Sequence, residues 1–324
     1  MLDILTIGDI KLDTFIVIPH ASIQCELRQT DCKLCLDYGK KIPVESTHSQ
    51  IAGSAPNVAV GIATMKKSSA VLSVMGRDIT HMAALQFLKE HRVGTQYISP
   101  KAKKNSSFAA VLNFQGESTQ LVAHSAVDIR LPKNPPKAAW MHISELGKGY
   151  DRLFRDLTCC AKEHNVRISF NPGQIHIDER KKSFFDLIAA SEVLFINLRE
   201  ARELLRTPAS TSIKKVLHGL YGLGADDVVV TDGQNGAYAY DGKAIVHAPM
   251  FPGKRVEATG AGDAFAAGYL GALLHGKKSE DALMWGSVNA ASVVGKVGPT
   301  AGLLTHAEIM KRLAGRKSYT TKTL

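Results

Sequence analysis

The chain has little of what several protein classes require. It carries five cysteines in 324 residues: Cys25, Cys32, Cys35, Cys159 and Cys160. An odd, uneven set argues against a disulfide framework and for a reducing compartment. No apolar run reaches the roughly 20 residues needed to cross a bilayer. The longest, Ala264–Leu274, is short and broken by glycines. Asp3 follows almost at once and no basic stretch precedes the first apolar run, so no secretory leader is expected. Low-complexity linkers and internal repeats are also missing. These absences leave a soluble, cytoplasmic protein with no membrane partner as the expectation.

The formal net charge is +10, yet no single basic stripe carries it. The lysines fall in scattered doublets such as Lys66-Lys67, Lys181-Lys182 and Lys277-Lys278, without interleaved aromatics. Nucleic acid is therefore not the expected partner. An anionic nucleotide suits the charge equally well.

What is present is an alternation. Short apolar runs, Leu2–Ile7, Ala70–Met75, Trp140–Ser144, Arg167–Phe170, Val193–Ile196 and Val228–Thr231, read as strands covered on both faces. Amphipathic stretches such as Met82–His91 and Tyr150–His164 read as helices between them. The pattern predicts an α/β fold with a mostly parallel central sheet. Residues 14–50 and 105–127 break it with β-like pieces, including a hairpin about Gln115-Gly116-Glu117, and read as a small β lid. A further hairpin is expected about Asp241-Gly242. Residues 1–313 then form one domain, and the polar residues 314–324 form a tail that frays. Ligands of such sheets bind beyond the carboxyl ends of the strands. That rim holds Gly8–Asp13, Gly76–Asp78, Glu145, Asn171, Asn197 and Thr231–Gly233.

The most informative segment is Glu257–Phe265, EATGAGDAF, followed by the small-residue stretch Ala266–Leu274. Gly260 and Gly262 permit a tight turn and close approach to a ligand. The helix after them points unpaired N–H groups outward, a site for anions. Asp263 at that point can be a helix cap. It can equally take the proton of an attacking hydroxyl while the amides hold a transferring phosphoryl group.

This segment resembles the C-terminal signature of the ribokinase-like (PfkB) carbohydrate kinases, usually DTTGAGDAF. Ala52–Asn57, AGSAPN, resembles the N-terminal signature, and the likeness runs from about Leu2 to Leu313. It implies a three-layer ribokinase-like domain with ATP and Mg²⁺ as cofactors. It implies Asp263 as general base and Gly260, Ala261 and Gly262 as the anion hole. Asp13, Gly53, Asn57 and Glu145 would contact substrate. Asn197 and Glu200 would lie near Mg²⁺ and the phosphates, with Asn171 a further phosphate-side candidate. Thr231, Gly233 and Gly236 would line the nucleotide site, and Asn289 would lie near the adenine. Residue by residue, Asp13 and Asn57 also suit turns and caps, and Asn197 with Glu200 also suits a helix start. Glu257 stands where the family has Asp, and Ala258 where it has Thr. In several relatives that region helps bind a monovalent cation such as K⁺. Ala52 replaces a glycine.

Two other patterns carry less. Gly271–Lys278, GALLHGKK, nearly matches a P-loop but lacks the final Ser/Thr and follows a helix. His20, Cys25, Cys32 and Cys35 are ligand types for zinc, but their spacing is not a familiar finger; packing in the β lid is the other reading. The substrates expected are a sugar such as ribose or fructose, then a nucleoside, then a phosphorylated sugar. The last would need basic residues such as Lys101, Lys103, Lys104 and Arg130. A silent sugar- or nucleotide-binding protein is the alternative of a different class. A homodimer through the open edge of the lid is a further expectation.

Overall fold

A computed structural model of the chain describes residues 1–25, 32–102, 104–115, 117–125 and 128–324. Lys103 and Gly116, named above, lie outside the described residues. The apolar runs form the middle of a ten-stranded sheet among the described residues. In spatial order its parallel part runs Ile98–Lys101, Ser69–Gly76, Leu2–Ile7, Ala138–Ile143, Arg167–Phe170, Val193–Asn197 and Asp227–Thr231. Ala237–Tyr240 and Ile245–Ala248 then add antiparallel, as the expected hairpin.

Burial explains the parallel choice. Ile4, Leu5, Ile7, Met141, Ile143, Leu194, Val228, Val229 and Val230 are all fully buried, so side chains on both faces need cover. One face is packed by helices such as Asp151–His164 and Lys182–Ala189 around Phe154, Phe170 and Phe184. The other is covered by Ser54–Thr64, Ala261–Leu274 and Ser279–Val294, with Trp140, Tyr269 and Trp285 between them. Helix, sheet and helix make three layers. The alanines of Ala261–Leu274 let it lie close on Ser279–Val294, so the helix is buried nearly all round.

A separate four-stranded sheet stands off the carboxyl edge: Ser46–Ala52, Lys11–Val17, Ser107–Phe114 and Glu117–Ala123. It corresponds to the expected lid, though its first strand begins at Lys11. Alternation sets its inner face, for Lys11, Asp13 and Phe15 are buried while Leu12, Thr14 and Ile16 are less so.

Two expectations need correction. Cys25 and Cys32 face each other in the small hairpin of Ser22–Cys25 and Cys32–Cys35 and form a disulfide. An odd cysteine total does not exclude a local bond when hairpin register sets two thiols opposite. With two of its thiols joined, the His20–Cys35 quartet loses its zinc reading, and no metal-holding group of His, Cys, Asp or Glu occurs among the described residues. The polar C-terminus also does not fray throughout. Lys322–Thr323 pairs with Ile245–Ala248 as a last strand, and the Tyr319 ring meets Phe251 edge-on while its hydroxyl donates to the Pro249 carbonyl at 2.7 Å. Among the described residues no helix is long and apolar enough to cross a membrane.

Candidate active site

The turn before Ala261–Leu274 is built for one backbone shape. Gly260 has φ +79°, and a Cβ there would lie 2.4 Å from Pro299 Cβ. Both conformation and space demand glycine. The Ala261 N–H donates to the Ala258 carbonyl at 3.1 Å, and Ala264 N–H to Gly260 at 2.9 Å. Ala261 is therefore spent within the turn, which corrects its expected share of the anion hole. Gly262 and Asp263 occupy the positions whose amides have no acceptor inside a helix.

Asp263 is half-buried in that first turn. Its Oδ2 accepts a hydrogen bond from Asn57 Nδ2 at 2.7 Å, and the Ser54 side chain also donates to it. Burial raises its carboxyl above the usual carboxylate range; the two hydrogen bonds and Lys11 oppose this. Asn57 comes from the first turn of Ser54–Thr64, which Gly53 introduces at φ +119°. A Cβ on Gly53 would sit 2.4 Å from the Asp9 carbonyl oxygen, so the chain can enter there only as glycine.

A cavity of about 260 Å³ opens over these groups. Asp13, Gly53, Asn57, Glu145, Gly260, Ala261, Gly262 and Asp263, all expected site residues, line it. Burial pushes the Asp13 carboxyl up to about 6; Lys11 opposes this, and the nearby carboxylates of Asp263, Glu145 and Glu257 add to it. Asp13 Oδ1 and Asn57 Oδ1 are both buried without a partner in the protein. A second cavity, of about 480 Å³, lies on the other side of the turn. Thr231, Gly233 and Gly236 line it, with Met250, Phe251 and Phe265 providing apolar wall. The two cavities share Ala258, Ala261 and Gly262. A group held at these shared residues is reachable from both sides, as transfer between two bound molecules requires.

Other expected residues are not brought to the cavities. Asn289 is fully buried; its Nδ2 donates to Ala264 O at 2.7 Å and its Oδ1 accepts from Leu304 N at 3.0 Å. Its neighbours Ala290 and Ala291 line the larger cavity instead, because the helix turns Asn289 inward. Asn197 and Glu200 form a reciprocal capping box at 2.9 and 3.3 Å and line neither cavity. Burial raises the Glu200 carboxyl. Asn171, Lys101, Lys104 and Arg130 are also absent from both linings, and Arg130 pairs with Asp128.

Gln120 lines the smaller cavity and went unrecognised in the sequence; Lys11 and Ser54, which fall within the rim segment Gly8–Asp13 and the signature Ala52–Asn57 but were given no role, line it as well. Lys11 was detectable, since it lies two residues before Asp13 on one strand and so shares its face. Glu257 is buried, with Oε2 accepting from Gly298 N at 3.0 Å and Oε1 unpartnered.

Two cavities thus meet at a helix N-terminus with a carboxylate between them. Comparison with known proteins gives the family: the description "pfkB family carbohydrate kinase" matches residues 14–306, and the chain belongs to that family. Among curated proteins, a nucleoside kinase of Methanocaldococcus jannaschii is 27% identical over 279 residues, covering 84% of this chain and 88% of that protein. A 5-dehydro-2-deoxygluconokinase of Bacillus licheniformis is 23% identical over 299 residues, covering 87% and 92%. Of solved structures, Arabidopsis thaliana ribokinase complexed with ribose and ATP superposes at TM-score 0.80 with 18% identity, covering 96% of this chain and 98% of that one. The three-layer architecture is therefore ribokinase-like.

Proposed function

We propose that the protein is an ATP-dependent kinase that phosphorylates a hydroxyl of a small, uncharged polyol such as ribose, with a nucleoside as the second substrate class. The observation carrying this reading is the pair of buried, unpartnered acceptors, Asp13 Oδ1 and Asn57 Oδ1, in the cavity that holds Asp263. Each unmet buried group costs about 1–3 kcal/mol. A ligand that supplies several hydroxyl donors removes that cost, and sugars do so. Charge narrows the class. The cavity is lined by three carboxylates, Asp13, Glu145 and Asp263, and by one cation, Lys11. Lys11 already faces Glu145 at 4.0 Å. A phosphorylated sugar would bring anionic charge into this field.

Each group then has a task. Asp13 and Asn57 orient the diol. Asp263 takes the hydroxyl proton, and the amides of Gly262 and Asp263 offset charge on the transferring phosphoryl group. The lid, carrying Asp13 and Gln120, excludes water from the acceptor side. The nucleotide lies along Thr231, Gly233 and Gly236 with its adenine against the apolar wall.

Magnesium enters with the nucleotide, since it keeps most of its waters and needs about one or two carboxylates. Glu200, the carboxylate that the family resemblance offers it, lines neither cavity and is engaged in its capping box with Asn197, so the residues present do not place it as a ligand of the ion. When bound, the ion neutralises phosphate charge. Glu257 replaces the family's shorter Asp beside this turn, and its single unpartnered Oε1 does not by itself make a site for K⁺. With ATP as donor the work belongs in the cytoplasm, where the Cys25–Cys32 bond is open to reduction. The lid ends in the strand Glu117–Ala123, with Leu121 59% exposed, an edge that invites pairing with a second copy.

The test is ADP release with ribose, fructose, adenosine and fructose 6-phosphate side by side. Turnover of one or more uncharged acceptors is expected, with fructose 6-phosphate poor. Turnover of none, with binding alone, would instead favour a silent binding protein.

A further inference from the structure

His124 lies outside both cavity linings and carries no role in the transfer described so far. It follows directly on the last lid strand, Glu117–Ala123, where the chain leaves the lid. Its Nδ1 is 2.8 Å from Asp9 Oδ2, and both side chains are largely buried, at 18% and 8% exposure. Asp9 stands between the strand Leu2–Ile7 and the lid strand Lys11–Val17, at another crossing from sheet to lid. The other two crossings converge on the same residue. Ser107, first in Ser107–Phe114, places its hydroxyl 3.4 Å from Asp9 Oδ2 and accepts from Ser125 N at 2.8 Å. Gly53, after Ser46–Ala52, packs on the Asp9 carbonyl. Asp9 is thus the junction of all four connections between lid and core.

The far side of the imidazole faces the substrate cavity. His124 Nε2 is 3.9 Å from Glu145 Oε1, and Glu145 Oε2 is 4.0 Å from Lys11 Nζ. Glu145 is only partly held otherwise, packing its Cβ and Cγ against Gly173. We infer that His124 is a positioning residue: its imidazolium joins Asp9 at the lid hinge to Glu145 in the acceptor cavity, and so fixes Glu145 toward the sugar. The inference rests on the kinase reading above.

The groups facing His124 are Asp9, Glu145 and Lys11, with the buried His176 further off. The Asp9 hydrogen bond raises the His124 pKa most; burial opposes, the Asp9 and Glu145 charges add to the rise, and Lys11 opposes again. The imidazolium is present at low pH and is lost as pH rises through that raised value. Neutral imidazole donating to Asp9 presents a lone pair to Glu145, which repels it. The KM for the acceptor therefore rises on the alkaline side. Asp13, near 6, governs the acid side instead.

The experiment measures kcat and acceptor KM against pH, using whichever of ribose, fructose or adenosine is turned over best. It compares the wild-type protein with His124→Gln. The variant should raise acceptor KM about tenfold, roughly 1.4 kcal/mol. It should flatten the alkaline limb of KM and leave kcat and the KM for ATP within about twofold. A purely structural histidine would lower the melting temperature but keep the limb, and that result overturns the inference. Should His124→Gln fail to fold, the wild-type protein gives the same answer by NMR titration of His124. Saturating acceptor must raise its pKa, by reciprocity of linkage; an unchanged value overturns the inference. If no acceptor is turned over, the kinase reading fails first and this inference falls with it.

Discussion

Replacing Asp263 by Asn removes the base while keeping the shape. Asn offers its carbonyl oxygen to Asn57 Nδ2, so the 2.7 Å hydrogen bond survives once the new amide turns that way. The lost carboxylate is one whose burial already disfavours its charge. Folding stability should therefore change by no more than about 1 kcal/mol. Gly262 and its amide are untouched, as are Asp13 and the nucleotide cavity, so the KM values should move less than about threefold. What disappears is proton abstraction, which contributes about 10²–10⁴-fold. A loss of about 10³ in kcat corresponds to roughly 4 kcal/mol of transition-state stabilisation. Coupled detection of ADP at saturating sugar, with thermal unfolding of the same samples, measures both quantities. A folded Asp263→Asn protein retaining more than about a tenth of wild-type kcat would refute the assignment of the base.

Three further outcomes follow from the same geometry. Asp13 has a folded pKa of about 6 against an ordinary 3.8, so its stabilising protonated form is complete below about 3.8 and is lost as pH rises through 6. Asp13→Asn should then stabilise the fold at pH 7.5 by up to about 3 kcal/mol while raising sugar KM, as read by thermal unfolding and kinetics. His142 and His176 are fully buried, with pKa values pushed down to about 3 by burial. Each stays neutral at no cost above about 6.5, and stability falls as pH drops from there toward 3; unfolding midpoints across that window should be less steep in His142→Gln. Gly260→Ala forces both a positive φ and a contact of 2.4 Å with Pro299, so kcat should fall at least about tenfold and the melting temperature should drop.

The sheet was readable because parallel strands are buried on both faces and so appear as unbroken apolar runs; Val193–Ile196 became Val193–Asn197 and Arg167–Phe170 kept its bounds. The catalytic turn was readable because one short segment carries both the glycines and the carboxylate. His124 and Gln120 were not, since they come to the site from the far end of the lid, more than a hundred residues beyond Asp9 and Asp13, and share no local pattern with them. Asn289 was misplaced for a related reason. One helical position separates it from Ala290, and only packing decides which of the two faces the cavity. Asn197 and Glu200 illustrate ambiguity of another kind, because the same N-x-x-E spacing makes a capping box whether or not phosphate lies beyond it. The disulfide depended on hairpin register, which the cysteine count does not carry.

The acceptor cavity is costly to the fold in one consistent way. Asp13, Glu145 and Asp263 crowd around a space that contains one lysine, and Glu257 stands just behind with an unpaired oxygen. Burial and like charge raise the carboxyls of Asp13 and Asp263 together. A packed core would never keep such groups, since apolar replacements of equal volume are often neutral or stabilising. On the proposed kinase reading, the hydroxyl donors of an acceptor would relieve that deficit on binding. Binding thereby draws on a tension already present in the free protein. The same burial raises the Asp263 carboxyl above the usual carboxylate range, against its hydrogen bonds from Asn57 and Ser54. The raised carboxyls and the preference for an uncharged acceptor proposed above thus share one origin, several acids placed beneath one small sheet.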